Sequence, residues 1–298
     1  MPSMDLQPRS GTEIVDAAFQ LYRRHFGPLV ALTAIAFLPL FVLSPVLVAE
    51  ADPEALEAAQ VVGMFGLIAV AWVFGSLAEA AIVLAVSNSY LHGDPDVGGA
   101  LRRTLKRLGT VIVASLFKWF VIVAVVVAAA MLGGLAVATV TGVVGGVLGS
   151  PVLAAVLAVI LSLGAMAFTL LAGAHFFARY FAVSAAVMIE GLGALAAMRR
   201  SRDLSKGFRV KIALVLGIPL LVIMILNMVL GTIFEFLPMP LALTAVGQQA
   251  VNAVTYPLAG VIATLMYYDV RVRREGLDIE LLAKALGSPD ESSPAAAG

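Results

Sequence analysis

Cysteine is absent from this chain of 298 residues, and only three histidines are present. Without cysteine there is no disulfide bond, thiolate nucleophile or thiolate metal ligand. His25, His92 and His175 lie on three different segments, and none has a second ligand at the spacing of a metal site. The chain also lacks a nucleophile elbow, a phosphate loop and a pair of catalytic carboxylates. We therefore predict no catalytic residue, no cofactor and no metal.

Charged residues are scarce as well, at 13% of the chain, whereas 61% of its residues are hydrophobic. Soluble domains contain about 25% charged residues, and the mean hydropathy here is +1.01. The composition therefore predicts an integral membrane protein. The N-terminus lacks the basic start, apolar core and small-residue cleavage site of a secretory signal, so we expect no cleaved signal peptide.

Six apolar segments are long enough to cross a bilayer as helices, which takes about 20 residues each. They lie at 29–49, 61–88, 109–138, 152–178, 210–234 and 245–268. We therefore predict an all-α, polytopic integral membrane protein with six transmembrane helices arranged as three hairpins. One membrane domain covers residues 1–286, and the low-complexity residues 287–298 are predicted to form a disordered tail.

Basic residues are concentrated at one end of the predicted hairpins, which carries 17 of the 19 Lys and Arg residues. The opposite segment 50–60 has four acidic residues and no basic ones. The positive-inside rule then places both termini in the cytoplasm, in the cytoplasmic (inner) membrane of a bacterium. Short juxtamembrane basic clusters favour anionic lipids of the inner leaflet, or a protein partner, over nucleic acid. The candidate contact residues are Arg199, Arg200, Arg202, Arg271, Arg273 and Arg274.

Amphipathic helices are predicted on the cytoplasmic side of the membrane, in front of the apolar segments. The first begins at a capping box made by Ser10 and Glu13. A shift of 180 residues superposes Gly11 on Gly191 and Gly27 on Gly207. These matches indicate three repeated units, each an amphipathic helix followed by a hairpin, although matches this few also arise by chance.

The last apolar segment ends in two tyrosines, followed by three arginines and a glycine. Tyr267 and Tyr268 are expected at the lipid headgroup layer, where an apolar ring with a polar hydroxyl is favoured. Gly276 is expected to end the helix. Apolar residues recur at helical spacing over 277–286, which predicts a short amphipathic helix there. Asp269 is expected to pair with Arg271, Arg273 or the N-terminal residues Arg23 and Arg24.

Glu79 and Lys118 are the most informative charges within the apolar segments. Each lies about a dozen residues from the cytoplasmic end of its span, so the two lie at similar depth. Because an isolated charge in a bilayer is costly, an ion pair between adjacent helices is expected. The pair is either a structural contact that fixes the register of the two helices, which we favour, or part of a proton or substrate relay.

Other polar residues in the spans have similar pairs of interpretations. His175 and Arg179 could form an anion site with Glu190 and Arg199, or Arg179 could reach toward the headgroups while His175 packs at the interface. Asn227, Gln248, Gln249 and Asn252 line a polar cavity or bond between helices. Gly145 and Gly149 form a G-x-x-x-G pattern, which is weak evidence for a helix contact here.

Three stretches of the chain, at 8–29, 181–218 and 267–283, carry a pattern of Gly, Arg and Tyr-Tyr-Asp residues in an apolar background. This pattern resembles the bacterial and archaeal glycerophosphoryl diester phosphodiesterase membrane-domain family. The resemblance implies a six-helix membrane module, mostly of unknown function. Hydrolysis in the proteins that name the family resides in a separate soluble barrel, so no catalytic residue carries over. Arg202 also replaces the large aromatic residue expected after the family's arginine-rich loop.

These observations lead to two main hypotheses of function. The first is a non-catalytic integral membrane protein that acts as a scaffold or partner subunit through its basic cytoplasmic face. The alternative is a transporter or lipid-handling protein that uses the bundle interior, motivated by Glu79, Lys118 and the prolines Pro39 and Pro219, which are expected to kink their helices at comparable depths. A third hypothesis, glycerophosphodiester hydrolysis by this chain, lacks the residues for it.

Overall fold

The computed structural model describes residues 8–49, 58–147 and 149–280. Within these ranges every regular element is a helix. The predicted tail 287–298, residues 281–286 and most of the acidic segment lie outside the described residues. In chain order the helices are α1 (Gly11–Arg24), α2 (Phe26–Ala36), α3 (Leu38–Ala49), α4 (Ala58–His92), α5 (Val97–Lys106), α6 (Leu108–Gly146), α7 (Pro151–Arg179), α8 (Val183–Met188), α9 (Ala194–Ser205), α10 (Arg209–Phe236) and α11 (Leu241–Glu275).

Five long helical stretches of the described chain are apolar enough to cross a membrane. They are Val62–Leu91, Leu108–Gly146, Pro151–Met188, Arg209–Phe236 and Leu241–Glu275. A sixth is formed if α2 and α3, which meet at an angle of 51°, count as one broken span. The prediction of an all-helical protein with spans of membrane length is confirmed at this level.

The two prolines compared at the sequence level have different effects on their helices. Pro39 lies in the first turn of α3, just after the break at Phe37. Proline is tolerated in a first helical turn but cannot continue the preceding helix. Pro219, in contrast, lies inside the continuous helix α10. The two prolines therefore occupy different positions in their helices, and the kink expected at Pro219 stays a prediction.

Helix α11 forms the centre of the bundle. It packs against α1, α2, α3, α4, α9 and α10. Its C-terminal half, from Leu258 to Val272, is almost continuously buried. Gly260 permits the closest approach, since a Cβ there would lie 2.6 Å from the side chain of Ile82 in α4. A helix surrounded by protein in this way positions the elements that contact it, and the clusters described below are attached to it.

Helices α6 and α7 form a long hairpin that packs mostly against itself. A Cβ on Gly133 would lie 2.7 Å from that of Ala165, so the two backbones approach closely there. Gly149 is not part of a helix: its φ of +63° places it in the turn between α6 and α7. The G-x-x-x-G pattern of Gly145 and Gly149 is therefore not a helix-contact motif, and Gly133 takes that role instead.

Short helices precede three of the long apolar elements: α1 before α2, α5 before α6, and α9 before α10. The predicted capping box of α1 is confirmed, because Glu13 N donates to Ser10 Oγ at 3.3 Å and Ser10 N donates to Glu13 Oε2 at 2.6 Å. The glycines that suggested a 180-residue repeat differ in conformation, however. Gly191 and Gly207 have φ of +73° and +82°, whereas their counterparts lie in helices, so the matched glycines do not have equivalent roles.

The C-terminal end of α11 differs from the sequence expectation in one respect. Tyr267 and Tyr268 are 0% and 3% exposed, so they face protein and not the headgroup layer. Their hydroxyls bond to other side chains of the bundle, as described below. Gly276, with φ of +64°, ends the helix as predicted. Residues 277–280 are helical, and the remainder of the predicted amphipathic segment lies outside the described chain.

Candidate functional site

The structure brings Glu79 of α4 and Lys118 of α6 into direct contact. Lys118 Nζ donates to both carboxylate oxygens of Glu79, at 2.8 and 2.9 Å. A third bond reaches the same carboxylate from α8, where Ser184 Oγ donates to Glu79 Oε1 at 2.7 Å. The carboxylate therefore joins three helices, and we refer to Glu79, Lys118 and Ser184 as the buried ion-pair cluster.

A second polar contact lies one helical turn away from this cluster. The hydroxyls of Ser76 and Ser115 are 2.7 Å apart. The hydroxyl contact and the ion pair both join α4 to α6, and we refer to them as two rungs between these helices. Because residues three apart occupy one helix face, the two rungs define a single register for these helices.

The surroundings of the cluster are apolar and aromatic. The Lys118 ammonium lies 5.8 Å from the ring centre of Trp119, and its side chain is only 8% exposed. Tyr256 of α11 donates to the carbonyl of Gly75 at 2.9 Å, which attaches the central helix beside the cluster. Glu79 retains 26% exposure of its side chain. The ion pair is thus enclosed by protein on the lysine side and partly accessible on the carboxylate side.

Chemically, this arrangement satisfies the charges that it buries. An ammonium shared between two carboxylate oxygens, with a hydroxyl donor beside it, is the kind of compensation that makes a buried ion pair tolerable. The geometry therefore holds three helices together. Ser184 was not recognised from the sequence, because a serine in a short apolar helix gives no sign of the carboxylate that it faces.

Charged groups of a second cluster connect the two ends of the chain. Asp269, whose side chain is 3% exposed, accepts from Lys211 Nζ at 2.6 Å and from Arg273 Nε at 3.0 Å. The backbone N–H of Arg9 donates to the same carboxylate at 2.8 Å. Of the partners expected for Asp269, Arg273 is present, while the N-terminal link runs through the backbone of Arg9. Asp269 therefore ties the segment before α1 to α10 and α11.

A third cluster joins α9 to α11 near the same end of the bundle. Arg200 Nε donates to Glu190 at 2.7 Å, and Arg200 Nη2 donates to Glu275 at 2.8 Å. Tyr267 donates to Glu190 Oε1 at 2.7 Å, and Arg271 Nε donates to Glu275 at 3.0 Å. The hydrogen bonds to Glu275 and then Glu190 raise the pKa of the Arg200 guanidinium above its ordinary value. Two arginines and two glutamates thus neutralise one another.

The six arginines predicted as contact residues therefore fall into different groups. Arg200, Arg271 and Arg273 form the ion pairs described above. Arg274 Nη1 donates to the carbonyls of residues 203 and 206, both at 2.8 Å, at the end of α9. Arg199 is exposed, and Arg202 lies 3.9 Å from the carboxylate of its neighbour in sequence. Of the six, Arg200 and Arg274 join α9 to α11, while Arg271 and Arg273 pair with carboxylates of their own helix.

Polar side chains also join α10 and α11 within their apolar stretches. Asn227 donates to Thr255 Oγ1 at 3.2 Å and accepts from Gln248 Nε2 at 3.3 Å. Asn252 donates to Gln249 at 3.4 Å within α11. Of the two interpretations offered for these residues, the contacts correspond to hydrogen bonding between helices. Thr255 was not anticipated from the sequence.

Taken together, these features define a class of protein: an all-helical chain whose five or six long apolar helices are compatible with a multi-pass membrane protein. Its polar side chains are used to join the helices. No family model, curated protein or solved structure matches the chain.

Proposed function

We propose that this chain is a non-catalytic protein of the bacterial cytoplasmic membrane that serves as a scaffold or partner subunit. In this proposal α2 and α3 form one broken span, so that six spans form three hairpins, and α1, α5 and α9 lie at the cytoplasmic interface with both termini on that side. The uneven distribution of Lys and Arg supports this orientation. The six-helix membrane module that the chain resembles would take this role.

The observation that carries the proposed role is the pairing pattern at the basic end of the bundle, where the residues before α1, α9 and the end of α11 meet. Three carboxylates form salt bridges with the arginines and the lysine around them: those of Asp269, Glu190 and Glu275. Ion pairs of this kind fix the geometry of a surface. The exposed arginines Arg102 and Arg103 of α5 and Arg199 of α9 are not used in these pairs and remain available to a partner, and a preorganised surface is what docking requires.

The experiment is co-purification from the native membrane, read by native mass spectrometry. Reversing Arg102, Arg103 and Arg199 to Glu should remove a stoichiometric protein partner while insertion is retained, because these side chains are exposed. The matched control replaces the same three residues by Lys, which preserves charge and should preserve the partner. Arg200 is unsuitable for this test, because its reversal would break the pairs with Glu190 and Glu275.

A second candidate function is transport or lipid handling through the bundle interior. The observation that favours it is the charged Glu79, whose side chain is 26% exposed among apolar helices. In this case Glu79→Gln should abolish a flux or lipid-binding signal in reconstituted vesicles while leaving the helices folded. A Glu79→Gln variant that is folded and fully active would remove this candidate.

A further inference from the structure

Basic side chains of α7 and α10 meet in a place that none of the clusters above includes. Arg209, the first residue of α10, places Nη1 3.2 Å from Nε2 of His175. Arg179 lies one helical turn after His175 on α7, and neither Arg179 nor Arg209 forms a salt bridge with a carboxylate of the described residues. We refer to His175, Arg179 and Arg209 as the basic junction.

The surrounding structure fixes Arg179 in this junction. Its guanidinium lies 5.6 Å from the ring centre of Phe176 and 5.7 Å from that of Tyr180. Its carbonyl accepts from Ser201 and Ser205 of α9, at 3.1 and 3.4 Å. The aromatic rings hold the planar cation from within α7, and the serines hold its backbone. The side chain is thus positioned by groups that do not neutralise it.

Unsatisfied donors distinguish the junction from the other arginine clusters. The Nε atoms of Arg179 and Arg209 are buried and have no hydrogen-bond partner among the described residues. Arg200 and Arg273, by contrast, direct their Nε atoms at carboxylates. The Nε of Arg202 is also without a hydrogen bond, but it lies 3.9 Å from a carboxylate, so it is not included. An Nε–H donor that is shielded from water and has no acceptor is costly, and a bound anion would supply the missing acceptor.

The proton positions add one further donor. A guanidinium can only donate, so Nε2 of His175 accepts from Arg209, and the neutral ring then carries its proton on Nδ1. In addition, α10 begins at Arg209 without a side-chain cap from the described residues. The positive end of its helix dipole therefore adds to the charge of the junction.

We propose that the basic junction binds a phosphate group, and that the physiological ligand is the phosphodiester of an anionic lipid headgroup. Planar guanidinium forks match the oxygens of a phosphate. Arg179 ends one apolar helix and Arg209 begins another, which is the depth of a headgroup layer in the proposed topology. The lipid assignment depends on that topology, whereas the phosphate assignment depends on the side chains alone. A soluble phosphate ester has the same recognition chemistry and is the other source to test.

The test compares the wild type with Arg179→Gln/Arg209→Gln in neutral detergent by native mass spectrometry. Phosphatidylglycerol, phosphatidylcholine and inorganic phosphate are titrated separately. The wild type should retain phosphatidylglycerol, and the double variant should lose this affinity by ~10-fold or more, since several charge-assisted hydrogen bonds are removed. The matched control is Arg24→Gln, an exposed arginine on α1, which should bind as the wild type does.

Each outcome has a definite meaning. If phosphatidylglycerol binds and inorganic phosphate does not displace it, the ligand is a lipid headgroup. If inorganic phosphate binds saturably and no lipid is preferred, the ligand is a soluble phosphate ester. Equal loss in Arg24→Gln, or no loss in the double variant, would overturn the site. If the double variant does not fold, the wild type is tested by histidine side-chain NMR instead. The variant His175→Asn assigns the His175 signal. This signal should shift when phosphatidylglycerol or inorganic phosphate is added. An unmoved signal with both probes also overturns the proposal.

Discussion

The contact between Glu79 and Lys118 allows a quantitative test of how this fold is held together. Replacing Lys118 by Met removes both hydrogen bonds of the pair and leaves the Glu79 carboxylate with Ser184 as its donor. Breaking a buried ion pair from one side costs about 3–5 kcal/mol. Lys118 is only 8% exposed, so we expect the full effect of this size for Lys118→Met. For Glu79→Gln we expect about 3 kcal/mol on the same grounds.

The double variant Glu79→Gln/Lys118→Met should be much more stable than the sum of the single variants implies. It buries no net charge, and the amide oxygen introduced at position 79 can still accept from Ser184. Replacing a buried ion pair by neutral groups of similar size is often close to neutral. We therefore expect a cost of about 1 kcal/mol or less for the double variant, and hence a coupling energy of about 5 kcal/mol or more between the two sites.

The assay is reversible unfolding in mixed micelles of dodecyl sulfate and a mild detergent, followed by tryptophan fluorescence. The chain has two tryptophans, Trp72 and Trp119, and both line one surface groove beside the ion pair. The signal therefore reports on α4 and α6 directly. The matched control is the Ser76→Ala/Ser115→Ala cycle, which removes the neighbouring rung without a charge. Its coupling should be near the ~0.6 kcal/mol typical of neutral contacts between membrane helices.

Additive costs for Glu79→Gln and Lys118→Met would refute this reasoning, because the two charges would then not be compensating each other. The reasoning would also be refuted if the free-energy cost of Lys118→Met were as small as the coupling energy of the serine cycle. The double variant also separates the two functional hypotheses. If it is stable and retains its protein partner but loses a flux signal, the ion pair serves transport as well as structure.

Three further predictions concern the topology and the basic end of the bundle. Because the chain has no cysteine, Ser150→Cys and Asp94→Cys can each be labelled as a single thiol. A membrane-impermeant maleimide should reach the thiol at position 150 in intact spheroplasts, and the thiol at position 94 only after lysis. The opposite pattern would show that the topology is inverted. Asp269→Asn should cost about 3 kcal/mol of unfolding free energy in the micelle assay, since it leaves Lys211 and Arg273 without a shared carboxylate. It should also speed proteolysis of the segment before α1, and unchanged proteolysis would contradict the contact between Asp269 and the Arg9 backbone. The hydrogen bond from the Ser10 backbone lowers the pKa of Glu13 below its ordinary 4.5. The capping box therefore stabilises α1 above pH 4.5, and this stabilisation is lost as the pH falls through the lowered pKa. Hydrogen exchange in α1 should show the loss in the wild type but not in Glu13→Gln, which keeps the cap without titrating.

The sequence predicts position along a helix axis well in this protein. Apolar runs located the long helices, Ser10 and Gly276 marked helix ends, and equal distances from the basic end placed Glu79 and Lys118 at one depth. These predictions succeed because solvent transfer and backbone capping act on each segment separately.

Angular position around the helix is predicted poorly, and for a physical reason. In a membrane, both the lipid-facing and the protein-facing sides of a helix are apolar, so hydropathy does not identify the buried side. Tyr267 and Tyr268 were therefore expected at the lipid headgroups although they face protein. Ser184 was missed because its significance lies in the carboxylate that it reaches, 105 residues away in the chain.

The arginines show why counting charges predicts the orientation of the protein in the membrane but not its function. For the positive-inside rule every Lys and Arg near the membrane counts equally, whereas the structure divides these residues by their partners. Arg200 and Arg273 are matched to carboxylates and hold the fold, Arg102 is exposed on α5, and Arg179 and Arg209 have buried Nε donors that are unmet among the described residues. Only the last two groups have interactions left to make with another molecule. Experiments on partners should therefore begin at α5, and experiments on lipids at the junction of α7 and α10, because substitution of a paired arginine would report on folding whichever ligand is present.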